Sequence, residues 1–397
     1  MAGIAALALA YVLSQFYRSF LAVLAPGLVA DLGATKAELS FASGTWFIVF
    51  ALMQFAVGVS LDRYGPRRTA SYLLGVCGGG GALLFCLAGS PLEITIAMGL
   101  IGAGCAPVLM APLFIFARTF SPARFAILAS WFVALGSLGN VVGAAPLAAA
   151  AEFFGWREVM AGFAAFTLLV AVALFLLVRD PPQEDAGAGG TGLSGYLELL
   201  KLKVLWPIIP LMAINYAPPA GIRGLWAGPY LAEVYALDTL AIGNVTLFMA
   251  LGMVAGSFLY GPLDTLLGTR KWVAAGGNAI SLAAVTALAA LPLAGVPFAS
   301  VMLVIIGVAG MGYGMIMAHS RAFFPAHLTG RGVTLMNFFS IGGVGAMQFA
   351  TGGVVSASVV PGEPVAAYAA LFAFYALLLG AALVIYLFSR DAPPERS

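Results

Sequence analysis

Arg179-Asp-Pro-Pro-Gln-Glu-Asp-Ala-Gly-Ala-Gly-Gly-Thr-Gly192 is the only long polar, Pro/Gly-rich stretch in a chain of 397 residues. A segment of this composition reads as a linker, because it offers neither a hydrophobic face nor a helix-forming run. Working outward from it, the sequence divides into apolar runs of the length needed to cross a bilayer, about 20 residues. Toward the N-terminus they lie near 4–30, 42–61, 70–89, 92–117, 125–150 and 159–178. Toward the C-terminus they lie near 204–232, 240–263, 272–292, 298–318, 333–358 and 367–388. The runs are too long for barrel strands and are apolar throughout instead of alternating, so they are expected to be helices. The expected fold is an all-α membrane protein of twelve transmembrane helices. Residues 1–178 form one six-helix bundle, 179–203 a linker and 204–397 a second, pseudo-symmetric bundle.

The composition excludes other classes. With 62% hydrophobic residues, 9% charged residues and a mean hydropathy of +1.03, the chain has far more apolar surface than a soluble core can hide. A soluble enzyme is excluded. The net charge of +2, without a basic run or an acidic tail, indicates no nucleic-acid partner. Cys77, Cys86 and Cys105 form no CxxC pair and are expected to be inert packing thiols. Two histidines, His319 and His327, are too few for a histidine-rich metal site and are both expected in loops. No metal and no cofactor are expected. The start of the chain is apolar from Ala2 and lacks a basic leader, so no cleaved signal peptide is expected.

The positive charges order the map. One set of loops and termini holds Arg63, Arg67, Arg68, Arg118, Arg124, Arg179, Lys201, Lys203, Arg270, Lys271, Arg321, Arg331, Arg390 and Arg396; the opposite set holds only Lys36 and Arg157. The positive-inside rule therefore places both termini and the linker in the cytoplasm, in what is expected to be a bacterial inner membrane. The halves also repeat. At an offset of about 203, Pro26 falls on Pro229, Gly58 on Gly261, Arg118 on Arg321 and Pro122 on Pro325, and Asp62 falls near Asp264. The strings ARTFSP and SRAFFP, which contain Arg118 and Arg321, show it best. Parallel halves of this kind suit alternating access about a midplane site, which points to a carrier.

After the second run stands Gly58-Val-Ser-Leu-Asp62-Arg63-Tyr-Gly65-Pro-Arg67-Arg68. It resembles the G-x-x-x-D-R-x-G-R-R signature of the major facilitator superfamily, and length, span count and linker agree. The second-half counterpart, Gly261-Pro-Leu-Asp264 with Gly268, Arg270 and Lys271, is degenerate, with Thr265 where the signature has Arg. The resemblance implies that Asp62 joins charge pairs that latch a gate, with Arg118 as the evident partner. The repeat extends the same role to Asp264 and Arg321. The alternative is that all four are interfacial charges. Two departures stand out. Met98 occupies the place where some proton-coupled members carry an arginine, and the fifth run, from Gly136 to Pro146, matches antiporter and nitrate-carrier patterns only loosely. Its small residues are sufficiently explained by close helix packing.

Removing every charge assigned to a loop or span end leaves Arg18 and Arg223, each near the middle of the first helix of its half and 205 residues apart. No carboxylate accompanies them. A charge at the bilayer centre costs about 2.5 to 3.5 kcal/mol on insertion scales and marks a cavity or a partner. The missing negative charge is therefore expected to arrive with the substrate. Tyr11, Gln15 and Arg18 share one helical face, and Tyr216, Arg223 and Tyr230 share another. Arginine offers a planar fork for a carboxylate and tyrosine adds donors and a stacking wall. Asn215, Trp226, Asn140, Asn337, Gln348, Trp46 and Trp131 are weaker candidates, for which a buried amide or aromatic packed on a neighbouring helix is an equal reading. The arginines have an alternative reading too: they bond backbone carbonyls, some of them freed by Pro218 and Pro219.

The function expected from this is secondary transport of a small organic anion of carboxylate type. Without an acid in any span interior, exchange or uniport is favoured over proton symport. A carrier for lipophilic or cationic compounds, or for a nitrate-like oxyanion, is the rival, and an intramembrane enzyme ranks last because no span holds a catalytic set. The expected partners are the anion and the lipid bilayer, with the chain acting as a monomer.

Overall fold

A computed structural model describes residues 2–119, 128, 132, 135–136, 138–181, 194–325, 328–359 and 364–393. The described residues are helical, with no strand among them. Nine helices among them are long and apolar enough to cross a membrane: Lys36–Leu61, Arg63–Leu87, Pro91–Phe116, Trp156–Leu177, Thr239–Leu267, Lys271–Ala290, Val296–Arg321, Arg331–Ala357 and Pro364–Leu387. They coincide with the second, third, fourth, sixth and eighth to twelfth runs of the sequence. The first run is a bent pair, Ala2–Phe16 and Leu21–Leu32, with 54° between its parts. The seventh is a succession of short pieces, Ile209–Ile214, Ala217–Gly221, Ile222–Trp226 and Ala227–Tyr235. Most of the fifth run's first part lies outside the described residues, and Leu138–Val142 and Ala145–Phe154 form its remainder.

Helix ends carry the signals expected of them. Thr35 accepts from the Glu38 amide while the Glu38 carboxylate accepts from the Thr35 amide, a capping box that opens the second span. Asp238 accepts from the Ala241 amide at 2.7 Å and opens the eighth. Ser90 with Pro91 behind it starts the fourth.

The chain separates into two compact units, Met1–Gly190 and Thr191–Ser397, with the boundary inside the Pro/Gly-rich segment. Within the first unit the third and fourth spans meet glycine to glycine: a Cβ on Gly104 would overlap the backbone nitrogen of Gly78. In lipid, where no hydrophobic force drives helices together, such close approach supplies the van der Waals contact that does. Gly139 similarly lies against the Val12 carbonyl, so the small residues of the fifth run seat it on the first span.

Candidate functional site

Arg18 stands at the break of the first span, in the turn between Phe16 and Leu21. The turn is tightened by a three-residue bond from the Ser19 amide to the Phe16 carbonyl at 3.0 Å. Neither Pro nor Gly lies in this stretch. Aromatic packing holds it instead, with Phe16, Tyr17 and Phe20 fully buried, Phe163 stacked on Phe16 at 3.9 Å and the Tyr17 hydroxyl on Thr167 at 2.9 Å.

The Arg18 guanidinium lies 4.9 Å from the centre of the Phe50 ring and 5.6 Å from that of Trp46, two rings that stack on each other at 5.1 Å. It makes no hydrogen bond or ion pair among the described residues, and its buried Nε–H has no partner. On the same helix or against the guanidinium, two more buried polar atoms have no hydrogen bond among the described residues, the Trp46 indole nitrogen and the Gln15 carbonyl oxygen, while the Ser14 hydroxyl lies against the Cys105 thiol. The Gln15 amide donates to the Tyr11 hydroxyl at 2.9 Å, so the Tyr11 and Gln15 pair forms as the helical spacing predicts. Phe50, one turn beyond Trp46, escaped the sequence reading; an aromatic pair at helical spacing on the second span was the available signal.

Arg223 is 2% exposed and lies in the π-helical turn Ile222–Trp226, with Tyr216 in electrostatic reach. Both arginines thus occupy irregular turns of the first helix of their half. The π turn also corrects the expected stripe. The shared face of Tyr216, Arg223 and Tyr230 required an unbroken helix, and the wider turn rotates the residues beyond it onto another face. Tyr230 packs against Tyr368 and Phe372 of the twelfth span and donates to the Pro292 carbonyl at 2.9 Å.

Four of the weaker candidates, Asn215, Trp226, Gln348 and Asn337, have helix-to-helix hydrogen bonds. Asn215 donates to Asn278 at 2.8 Å, the Trp226 indole to Thr351 at 3.1 Å, and the Gln348 amide to the Gly221 carbonyl at 3.3 Å. Asn337 accepts from the Tyr313 hydroxyl at 3.1 Å. Asn140 is buried. Trp131 lies outside the described residues, as does His327. His319, expected in a loop, is fully buried in the helix Tyr313–Arg321. Its Nε2–H donates to the Arg390 carbonyl at 2.8 Å and its Nδ1 accepts from the Tyr386 hydroxyl at 2.7 Å.

On the arginine-rich side, the side chain of Asp62 lies outside the described residues. Arg118 is exposed, with its guanidinium 4.1 Å over the Phe114 ring. Asp264 is paired with Arg270 at 3.2 Å instead of Arg321, which is exposed; the loop after the eighth span brings Arg270 back to the end of that span.

A different pair of contacts repeats between the halves, and the sequence reading missed it. In the first unit Asp180, just past the sixth span, accepts from the Arg67 amide at 2.7 Å, while Arg67 Nε–H donates to the Phe175 carbonyl at 2.6 Å. In the second, Asp391, just past the twelfth span, accepts from the Lys271 amide at 3.0 Å, while Lys271 Nζ donates to the Leu387 carbonyl at 2.6 Å. Each clamp caps the start of one span with a carboxylate and the end of another with a cation, as the helix dipoles favour. Gly65 makes room for the first. Its φ of +80° is in the left-handed region, and a Cβ there would meet the Asp180 carboxylate at 2.7 Å.

Burial pushes the Asp391 carboxyl up, but bonds from the Thr269 hydroxyl and the Lys271 and Ala392 amides outweigh it and hold the group below its ordinary value. A carboxyl depressed in the folded state adds stability above its unfolded pKa of about 4 and loses it as pH falls through the folded value. Asp391→Asn is therefore expected to lower stability by on the order of 1 kcal/mol at neutral pH. Thermal unfolding across pH should show the wild type approaching the variant below about pH 4; a difference independent of pH would exclude this origin.

Known proteins share this architecture. The family model described as Major Facilitator Superfamily matches residues 7–222, more than half of the chain. The membrane sensor protein UhpC of Salmonella typhimurium is 25% identical over 285 residues, and the match spans 64% of this chain and 61% of that relative. A bacterial homologue of the human lysosomal transporter Spinster, solved inward-facing and occupied, superposes with a TM-score of 0.75 at 21% identity, covering 97% of this chain and 96% of its own. The nucleoside transporter NupG gives 0.76 at 14% identity over 98% and 99%, and a D-xylose–proton symporter 0.71 at 14% over 95% and 96%. These similarities extend the shared fold to nearly the whole length, and the family model, which matches more than half of the residues, assigns the family of multi-pass membrane proteins: the chain belongs to the major facilitator superfamily.

Proposed function

We propose that the protein carries a small organic anion of carboxylate type, by exchange or uniport. The observation that carries this reading is the Arg18 guanidinium, which among the described residues is held by two aromatic faces at a helix break, with its own Nε–H and the Trp46 indole nitrogen lacking hydrogen-bond partners there. A planar cation in that state is a ready partner for a carboxylate, which accepts two parallel N–H bonds and supplies the charge the spans lack. Arg223 is the corresponding residue of the second half, and Tyr11, Gln15 and Tyr216 supply polar contacts next to the two guanidinium groups. Asn140, Asn215, Asn337, Trp226 and Tyr230 support the helices that present them. Asp62, Arg118, Asp264 and Arg321 tune the conformational change from the arginine-rich side. The excess of cations on that side supports an inner membrane with both termini and the linker in the cytoplasm.

The test is uptake of labelled carboxylates into liposomes containing the purified chain, with and without a preloaded counter-anion. Stimulation by the internal anion is expected for exchange. Uptake indifferent to every anion, together with uptake of a lipophilic cation, would overturn the proposal in favour of the rival carrier.

A further inference from the structure

On the outer face of the first unit, the third and sixth spans leave a groove of about 490 Å³ between them. Gly75 and Gly79 form its floor, and Tyr72 and Phe175 stand as walls at one end. The groove follows the third span from Tyr72 to Leu83, through the π-helical turn Leu73–Gly79, and so is somewhat shorter than the roughly 16 Å that a regular α-helix would span there. That is roughly half of a 30 Å hydrocarbon core, the depth of one leaflet. Its exposed side chains, Val76, Leu83 and Val172 among them, are apolar, so its occupant is hydrocarbon for most of its length.

The mouth is different. Arg68 lies one helical turn before Tyr72, just ahead of the π-helical turn Leu73–Gly79. Its side chain is exposed and makes no hydrogen bond, ion pair or ring contact among the described residues. Arg67 uses its Nε–H on the Phe175 carbonyl and lies 4.5 Å over the Phe175 ring, which leaves its terminal N–H groups for another acceptor. Asp180 offsets one of these two charges through its bond to the Arg67 amide, and the other is left over. An apolar slot of one-leaflet depth under an unsatisfied cation matches an amphiphile with a negative head.

We propose that this groove binds one acidic phospholipid, with the phosphodiester on Arg68 and the terminal nitrogens of Arg67 and one acyl chain along the glycine floor. The headgroup follows from the charge and the chain from the slot; a zwitterionic lipid fills the slot and offers the same phosphodiester, but it brings its own cation and so leaves the surplus positive charge at the mouth uncompensated. The site is independent of the transported anion.

Native mass spectrometry of the full chain, stripped of lipid in detergent and then offered equal phosphatidylglycerol and phosphatidylcholine, tests it. Phosphatidylglycerol is expected to be retained about fivefold over phosphatidylcholine, the factor one interfacial arginine contributes. Arg68→Gln should abolish that preference, while Lys201→Gln in the other half should leave it. Gly80→Leu should lower retention of phosphatidylglycerol, because Gly80 lines the groove and a Cβ there meets no atom within 4 Å, so the larger side chain extends into the slot. Equal retention of the two lipids, or a preference that survives Arg68→Gln, would overturn the proposal. So would displacement of the lipid by glycerol phosphate at matching concentration, which would mark a site for a free anion.

Discussion

Arg18→Gln is expected to weaken binding of the transported anion by about 10- to 100-fold, the range of one lost charge-assisted hydrogen-bond pair, while the folded yield stays near normal. The guanidinium contributes nothing to folding that glutamine takes away, apart from its contact with the Trp46 and Phe50 rings. A cation with no ion pair among the described residues is itself a cost in the span, so the neutral side chain offsets the loss of ring contact. Arg18→Lys separates charge from shape. A lysine keeps the charge but loses the planar fork and the flat face that lies on the rings, so intermediate binding is expected. Thermal unfolding of each variant with and without a panel of carboxylates measures both quantities. Unaltered protection by the anion in Arg18→Gln would remove Arg18 from the binding site, and loss of the fold would make it structural.

The largest effect on stability is expected from Gly104→Val. Its Cβ falls on the backbone of Gly78, which cannot swing away as a side chain does. Overpacking typically costs about 1 to 3 kcal/mol, and a backbone obstacle puts this site at or above the top of that range. The third and fourth spans must separate, and the contacts that hold them depend on their closeness. Gly276→Ala is the matched control, since a Cβ there meets nothing within 4 Å and alanine favours the helix. Size-exclusion profiles and unfolding midpoints should show a large loss for the first and none for the second; equal midpoints would mean that the two spans do not depend on this approach.

The contrast between these two sites shows what the sequence made legible. The spans were readable because a bilayer demands long uninterrupted apolar runs, and nine helices among the described residues fall on the expected segments. Arg18 and Arg223 stood out for the same reason, as charges where hydrocarbon is expected. Of the breaks at which they sit, the first was not readable and the second was signalled only by its prolines. The first has no proline or glycine between Phe16 and Leu21 and arises from packing among aromatic rings distant in sequence. The second places its wide turn after Pro218 and Pro219, where periodicity alone continues a regular helix and carries Tyr230 onto the wrong face. His319 was misread because a polar residue beside charges resembles a loop, whereas two hydrogen bonds let it be buried. Asp180 and Asp391 were hidden because each lies beyond the last helix of its half, far in sequence from the residue it caps.

The placement of those two acids has a bearing on how the gene product tolerates fission. Asp180 and Arg67 both precede the middle of the connecting segment, and Asp391 and Lys271 both lie beyond it. A polypeptide severed between residues 187 and 188 keeps each fastening whole within one fragment. Each fragment is thus equipped to close its own rim, and synthesis as two separate chains is open to this architecture.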